Sequence, residues 1–368
     1  MPIIREAVLE DARKVAALQY KFGISPDTED DWKRLWVDNP AKHSDIPIGW
    51  VLEEKGEVVG FLGNVSRRYE LGGVKIKAVA ARGWVVEPAF RNVTVLLLSK
   101  YLNQRNVDLQ LNSSSNNKAY HVFEKMGSRT VPLDVYSRLL FWVTHRRNFM
   151  TSIVCYFQLP MAIGKLVAEF GGLLSVLPVT FMDYYMNKKM VLMTNRFELK
   201  IIQPNLIGTD FDLLWESKRK ERTCLLGDRS SVMLKWHFSK EEFKTRIICC
   251  YEQGNLQGYL AVAKMKNGKT DFLRHVIIDL IVLNNSKPVI EFLIAAAYQF
   301  SRSEKVVALE LLGFTEEVRE VVKDMKAFGR KSFPTPFTYK LVNKKLPVDL
   351  FAEKSTWYPS LFDGDSSL

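Results

Sequence analysis

Apolar runs of four to eight residues, bounded by Gly- and Asn-bearing turns, alternate along this chain with stretches whose apolar residues recur every three to four positions. The first pattern predicts strands and the second predicts helices. In the first half the order is a strand Pro2–Arg5, a helix carrying Val15, Ala16, Leu18, Tyr20 and Phe22, and a helix Glu29–Val37 with Trp32 and Trp36 on one face. A hairpin Gly49–Gly63 turning near Lys55-Gly56 and a Gly72-Gly73 turn lead into a strand Ala80–Val86. An apolar helix Val93–Leu102, a strand Val107–Leu111 and a helix Lys118–Lys125 stopping at Gly127 complete the series.

The second half repeats this order. Phe197–Ile202 is a strand, Asp210–Arg219 a helix, and Ser231–Phe238 a second tryptophan-bearing helix. A hairpin from Lys244 to Met265 turns around Gly254-Asn255, followed by a strand Phe272–Val282, an apolar helix Val289–Phe300, a strand Val306–Leu312 and a helix Thr315–Phe328 ending at Gly329. Eight elements recurring in the same order predict two similar mixed α/β domains, at 1–140 and 196–345, with a tail at 346–368.

Segment 141–195 breaks the pattern. It holds two uncharged runs, one between Arg147 and Lys165 and one from Phe170 to Met182. Gln158 and Pro160 interrupt the first, Gly171-Gly172 and Pro178 the second, and neither reaches the ~18 continuous apolar residues of a spanning helix. A packed helical connection between the domains is expected. The alternative is an amphipathic helix on a membrane surface, flanked by His145-Arg146-Arg147 and Lys188-Lys189, with peripheral contact through 148–182.

Composition narrows the function classes. Over 368 residues, 47% hydrophobic and 25% charged is the balance of an ordinary folded protein. The net charge of +11 favours an anionic partner such as a CoA tail, a nucleotide-sugar or an anionic membrane. Nucleic acid is not expected, because the basic residues are scattered and the densest group, Lys218 to Arg222, fits a solvated helix face. Four unevenly placed cysteines (Cys155, Cys224, Cys249, Cys250) suggest reduced thiols, and no basic segment with an apolar core follows Met1. The expected compartment is therefore the cytoplasm, including the inner face of the membrane. Five histidines without ligand spacing imply no metal site, and Ser113-Ser114-Ser115 fits a helix-capping turn rather than a nucleophile elbow.

The chemistry lies in the first half, in the β-turn-α-β-turn-α run from Ala80 to Gly127. There Val86-Glu87-Pro88-Ala89-Phe90-Arg91 is followed by Asn116 and by Phe123-Glu124-Lys125-Met126-Gly127. This resembles the acyl-CoA-binding half of the GNAT acyltransferase superfamily, in which Val-x-Pro-x-Tyr/Phe-Arg precedes Arg-x-x-Gly-x-Gly/Ala and amides at a helix N-terminus hold the pyrophosphate. The resemblance implies a mixed, mostly antiparallel sheet flanked by helices in each domain, an α/β (α+β) class. It also implies acyl-CoA as cosubstrate at Val85, Val86, Arg91, Asn92, Val93, Thr94 and Asn116.

Two features depart from the family: Thr94 and Leu96 stand at the loop's glycine positions, and Phe123 replaces the tyrosine that often protonates the thiolate. Leu234-Lys235-Trp236-His237-Phe238 and Ile278–Val282 resemble divergent bacterial tandem members. The turn Leu283–Pro288 lacks the phosphate loop altogether, so the second domain is expected to be degenerate.

Direct acyl transfer needs a base for the attacking amine or hydroxyl and an acid for the thiolate. Glu87, Asp108 and Tyr120 are the reachable candidates, with Tyr120 one helical turn before Phe123 and able to replace the missing acid. The expected reaction is N- or O-acylation of a small amine or hydroxyl, or of a sugar-like cell-envelope precursor. A tandem binding or scaffold protein that has lost CoA, and a Fem-type transferase using aminoacyl-tRNA, remain as alternatives. If the resemblance holds, Ala80–Val86 and Phe272–Val282 are central strands, buried on both faces and splayed from the next strand to leave a notch for a pantetheine chain.

Overall fold

The computed structural model describes residues 2–156, 176–221, 224–267, 270–331, 337–365 and 367–368. Its strands are β1 Ile3–Glu6, β2 Gly49–Glu54, β3 Glu57–Leu71, β4 Val74–Val86, β5 Leu109–Asn112, β6 Arg129–Thr130, β7 Arg138–Val143, β8 Glu198–Ile202, β9 Leu225–Gly227, β10 Arg246–Glu252, β11 Asn255–Asn267, β12 Thr270–Val282, β13 Ala308–Leu311, β14 Phe328–Lys331 and β15 Thr338–Leu341. The principal helices are α1 Ala12–Lys21, α2 Glu29–Trp36, α3 Thr94–Leu102, α4 Asn117–Lys125, α5 Arg146–Tyr156, α6 Val176–Met193, α7 Thr209–Lys218, α8 Ser231–His237, α9 Lys287–Ser303 and α10 Glu316–Asp324.

Two sheets form. The first has the order β1-β2-β3-β4-β5-β15-β6, with β9 on the far end of β3, and the second β14-β7-β13-β12-β11-β10-β8. Every pairing is antiparallel except β4–β5 and β12–β13. Positive φ at Lys55-Gly56 and Gly72-Gly73 lets two-residue turns join β2 to β3 and β3 to β4 without splaying the strands.

The sheets do not divide where the composition does. β7 straddles the 140/141 boundary and pairs with β13 and β14 of the second sheet, while β15, inside 196–345, lies between β5 and β6 of the first. Each half thus gives its last strand to the other. The helix expected to run to Phe328 stops at Asp324, Lys326 turns back with φ +62°, and Phe328–Lys331 forms the edge strand β14.

The halves also share a core. Trp32, Trp36 and Phe61 of the first half belong to one cluster with Phe211, Leu234, Tyr259 and Ile278 of the second, joined by Tyr358, Phe362 and Leu368. The segment expected as a tail, 346–368, is therefore anchored in the interior: Phe351 and Phe362 are fully buried, and burying one such ring contributes about 1.5–3 kcal/mol. Segment 141–195 is helical at α5 and α6, with α6 packed on α9 through Met182 and Met186. Residues 157–164 of the first uncharged run and 170–175 of the second lie outside the described residues.

Candidate active site

β4 is the fourth strand of the seven in the first sheet's order, and Ala78, Val79, Ala80 and Ala81 are all buried. It pairs with β3 along almost its whole length but with β5 only through Ala78–Leu109, Val79–Gln110 and Ala80–Leu111. Beyond Ala80 the two parallel strands part. β12 and β13 behave alike: they pair only at His275–Leu309, Val276–Glu310 and Ile277–Leu311, and β12 then continues to Val282 paired with β11 but not with β13. Each sheet therefore opens a notch at the same place.

In the first sheet the notch holds a cavity of about 340 Å³ lined by residues of β4, α4 and the loop after α1. From the α4 side it is lined by Trp84, Phe123, Ala119 and Asn116, and from the α1 side by Gln19, Ser25, Asp27, Arg82 and Asp365. The apolar end is built from rings: Phe123 meets Trp84 edge-on at 5.6 Å and Tyr101 at 6.2 Å. The polar end is built from ion pairs and hydrogen bonds. Arg82 donates Nη2–H to Asp27 Oδ1 at 2.5 Å and Nη1–H to the Asp365 carbonyl at 3.1 Å. Burial works against the Arg82 charge, but Asp27 outweighs it and holds the guanidinium pKa above its usual value.

Asp365 is 6% exposed and accepts from Ser113 Oγ and Ser114 Oγ, each at 2.8 Å. The serine run is thus no cap. Asn116 caps α4, its Oδ1 accepting from the Ala119 amide at 3.0 Å, and Ser113 and Ser114 hold the C-terminal segment instead. Three buried groups in the wall, Trp84 Nε1, Asn112 Nδ2 and Ser115 Oγ, have no hydrogen-bond partner among the described residues. A buried donor without a partner is costly, and all three belong to residues that line the cavity.

The residues singled out from the sequence do not converge. Glu87 lies at the outer end of β4, hydrogen-bonded to Lys21 Nζ at 2.7 Å, and does not line the cavity. Asp108 accepts from the Lys77 amide at 2.8 Å and from Asn343 Nδ2 at 2.7 Å, tying β5 to its neighbours. Tyr120 turns away from the cavity, its hydroxyl 3.1 Å from Glu124 Oε1 and 2.9 Å from Thr130 Oγ1.

Of the cofactor candidates, Asn116 lines the cavity and Val85 is buried in the core. Val86, Arg91, Asn92, Val93 and Thr94 lie along the end of β4, the following 3₁₀ turn and the start of α3. That turn runs Pro88–Val93, and the Thr94 amide donates to the Arg91 carbonyl rather than standing free. Leu96 is 56% exposed at the start of α3. Sequence reasoning missed Arg82, Asp27 and Asp365, since no spacing links positions so far apart.

The second notch is filled. Phe362 donates its amide to the Ile278 carbonyl at 3.0 Å, where β12 leaves β13, and Tyr358 donates its hydroxyl to the Leu280 carbonyl at 3.0 Å. Beneath them Arg229 is paired with Asp279 at 3.0 Å, both essentially unexposed, with Asp363 at 3.4 Å and the Tyr259 hydroxyl on Asp279 at 2.6 Å. The C-terminal segment thus closes one notch and reaches into the other.

No protein-family model matches this sequence, and no curated protein matches it. Among solved structures, a GCN5-related N-acetyltransferase from Kribbella flavida is similar at TM-score 0.57 and 11% identity, over 93% of this chain and 71% of that one. One from Anabaena variabilis is similar at 0.56 and 10%, over 93% and 73%. N-myristoyltransferase of Saccharomyces cerevisiae, solved with bound myristoyl-CoA, is similar at 0.53 and 10%, over 92% and 78%. With both sheets carrying a splayed parallel pair, the chain has the GNAT fold of these acyltransferases, and its two sheets are consistent with a tandem arrangement.

Proposed function

We propose that this protein is an acyl-CoA-dependent acyltransferase whose reaction takes place in the notch between β4 and β5. The observation that carries the reading is a cavity at the splay, with unpartnered donors on residues of its wall and a carboxylate at its polar end. The pantetheine arm enters from the side of Trp84, Phe123 and Asn116, and its amides and thioester carbonyl take up Asn112 Nδ2–H and the Ser115 hydroxyl. The acceptor amine or hydroxyl enters from the side of Gln19, Asp27 and Asp365. Its nitrogen or oxygen attacks the thioester carbon, the proton it loses passes to Asp365 directly or through Ser114, and the C–S bond breaks to release the CoA thiolate.

Asp365 is the better base, since its carboxylate accepts from the neutral hydroxyls of Ser113 and Ser114, whereas Asp27 is held in an ion pair by Arg82. Acceptors with a free amine or hydroxyl, including sugar-like envelope precursors, suit this polar end. Calorimetric titration with acetyl-CoA tests the reading: saturable heat with one site per chain is expected, and no heat at millimolar ligand defeats it.

The side chains of Thr94 and Leu96, where the family keeps glycine, favour a second reading in which CoA is no longer bound. Replacing both with glycine separates the two. If wild type is silent and the variant is silent as well, a scaffold role stands.

A further inference from the structure

We propose that the outward face of α6 docks on anionic lipid, placing this protein at a membrane surface. α6 has two apolar faces. One is buried against α9 through Met182 and Met186, and its only carboxylate, Asp183, is turned to that side, accepting from the Tyr298 hydroxyl at 2.7 Å and paired with Arg302. The other face is open: Phe181 is 60% exposed, Tyr184 64%, Val191 63% and Leu192 69%. These positions fall at i, i+3, i+10 and i+11, one stripe along the helix, with Lys188 exposed in the gap at i+7.

Single exposed apolar residues are ordinary; four large ones in one stripe are not. Charge decides the occupant. From Thr180 to Arg196 the exposed positions include no acid, so what the face presents to solvent is aromatic and aliphatic surface with positive charge. Phe and Tyr with Lys on one stripe is the composition that seats a helix at the headgroup boundary of an anionic bilayer. The whole chain carries +11. No helix among the described residues is long and apolar enough to cross a membrane, so the contact is one of lying on the surface.

The test uses the full chain and sedimentation with vesicles of phosphatidylcholine alone and of phosphatidylcholine with phosphatidylglycerol. Binding is expected to the anionic vesicles, to weaken with salt, and to fall roughly tenfold or more in Phe181→Ser/Leu192→Ser. Both positions face solvent, so the variant is expected to keep the wild-type melting curve. Absence of binding to anionic vesicles at low salt overturns the proposal, as does a double variant that binds like wild type. A dimer in solution that the same variant dissociates assigns the face to a second copy, and a large drop in melting temperature assigns it to the chain's own packing. Either result overturns the lipid assignment.

Discussion

Arg82 and Asp279 hold the same place in the two sheets with opposite charge. Each lies two residues beyond the last parallel pair, Ala80–Leu111 in one sheet and Ile277–Leu311 in the other, and each pairs with its antiparallel neighbour beside the opening. Arg82 is answered by Asp27 beside a cavity; Asp279 is answered by Arg229 beneath Tyr358 and Phe362 of the C-terminal segment. The repeat was kept in backbone and reversed in chemistry.

Replacing Asp279 with Ala removes the nearer carboxylate of the buried Arg229 guanidinium and leaves only Asp363 at 3.4 Å; its pKa is held well above normal by Asp279 and Asp363 against the pull of burial. Removing one partner of a buried pair costs about 3–5 kcal/mol. Urea denaturation should show a loss of that size, and a loss under 1 kcal/mol would mean that the pair is not buried in solution.

Asn112→Ala separates binding from folding. The Asn112 amide donor has no partner, so its removal should leave stability unchanged or slightly raised. Affinity for acetyl-CoA should fall about fivefold to tenfold, the worth of one hydrogen bond. A stability loss with unchanged affinity would give the residue a structural role only.

Gly364 has φ +96°, and a Cβ there would stand 2.1 Å from Ser113 Oγ. Gly364→Ala must push the Asp365 turn off Ser113, at a conformational cost of about 1–2 kcal/mol. The expected kinetic signature is a lower kcat with little change in KM for acetyl-CoA, because the segment acts on the acceptor side. An unchanged kcat removes Asp365 from the reaction.

Acid should loosen the structure before the carboxylates titrate. Arg67 donates to His237 Nδ1 at 3.0 Å, so that nitrogen is unprotonated and Nε2–H donates to Ser367 at 2.8 Å. Burial first, and then Arg67, Arg34 and Arg229, hold the His237 pKa well below normal, and burial lowers His275 to about 4. As pH falls below ~6.5 the unfolded chain takes up these protons and the folded chain does not, so stability is present above that value and lost below it. The slope between pH 6.5 and 5 should be about 1.4 kcal/mol per unit for each histidine. His237→Gln/His275→Gln should flatten it, and an unchanged slope would place the effect elsewhere.

The repeat, its central strands and their turns were legible because period and glycine placement are local: Lys55-Gly56 and Gly72-Gly73 mark their turns without help from the rest of the chain. The site was legible only by half. Asn116 and Phe123 stand in a motif and line the cavity, whereas Asp27, Arg82 and Asp365 meet only once three distant segments have packed. Tyr120 and Asp108 show the limit of proximity in sequence, since a helix face and a strand edge turned both away from the opening. The exchange of β7 and β15 left no mark in composition, because a strand paired in either sheet has the same pattern.

That exchange sets the order in which the protein can be made. β5 waits for a partner more than two hundred residues downstream, so the sheet that holds the cavity is completed only after the other sheet's own strands exist. A ribosome-bound first half exposes an open edge at β5, and pairing across such a distance is slow. Cutting the chain between the halves would yield two fragments that each lack an interior strand, so their recovery should require synthesis together.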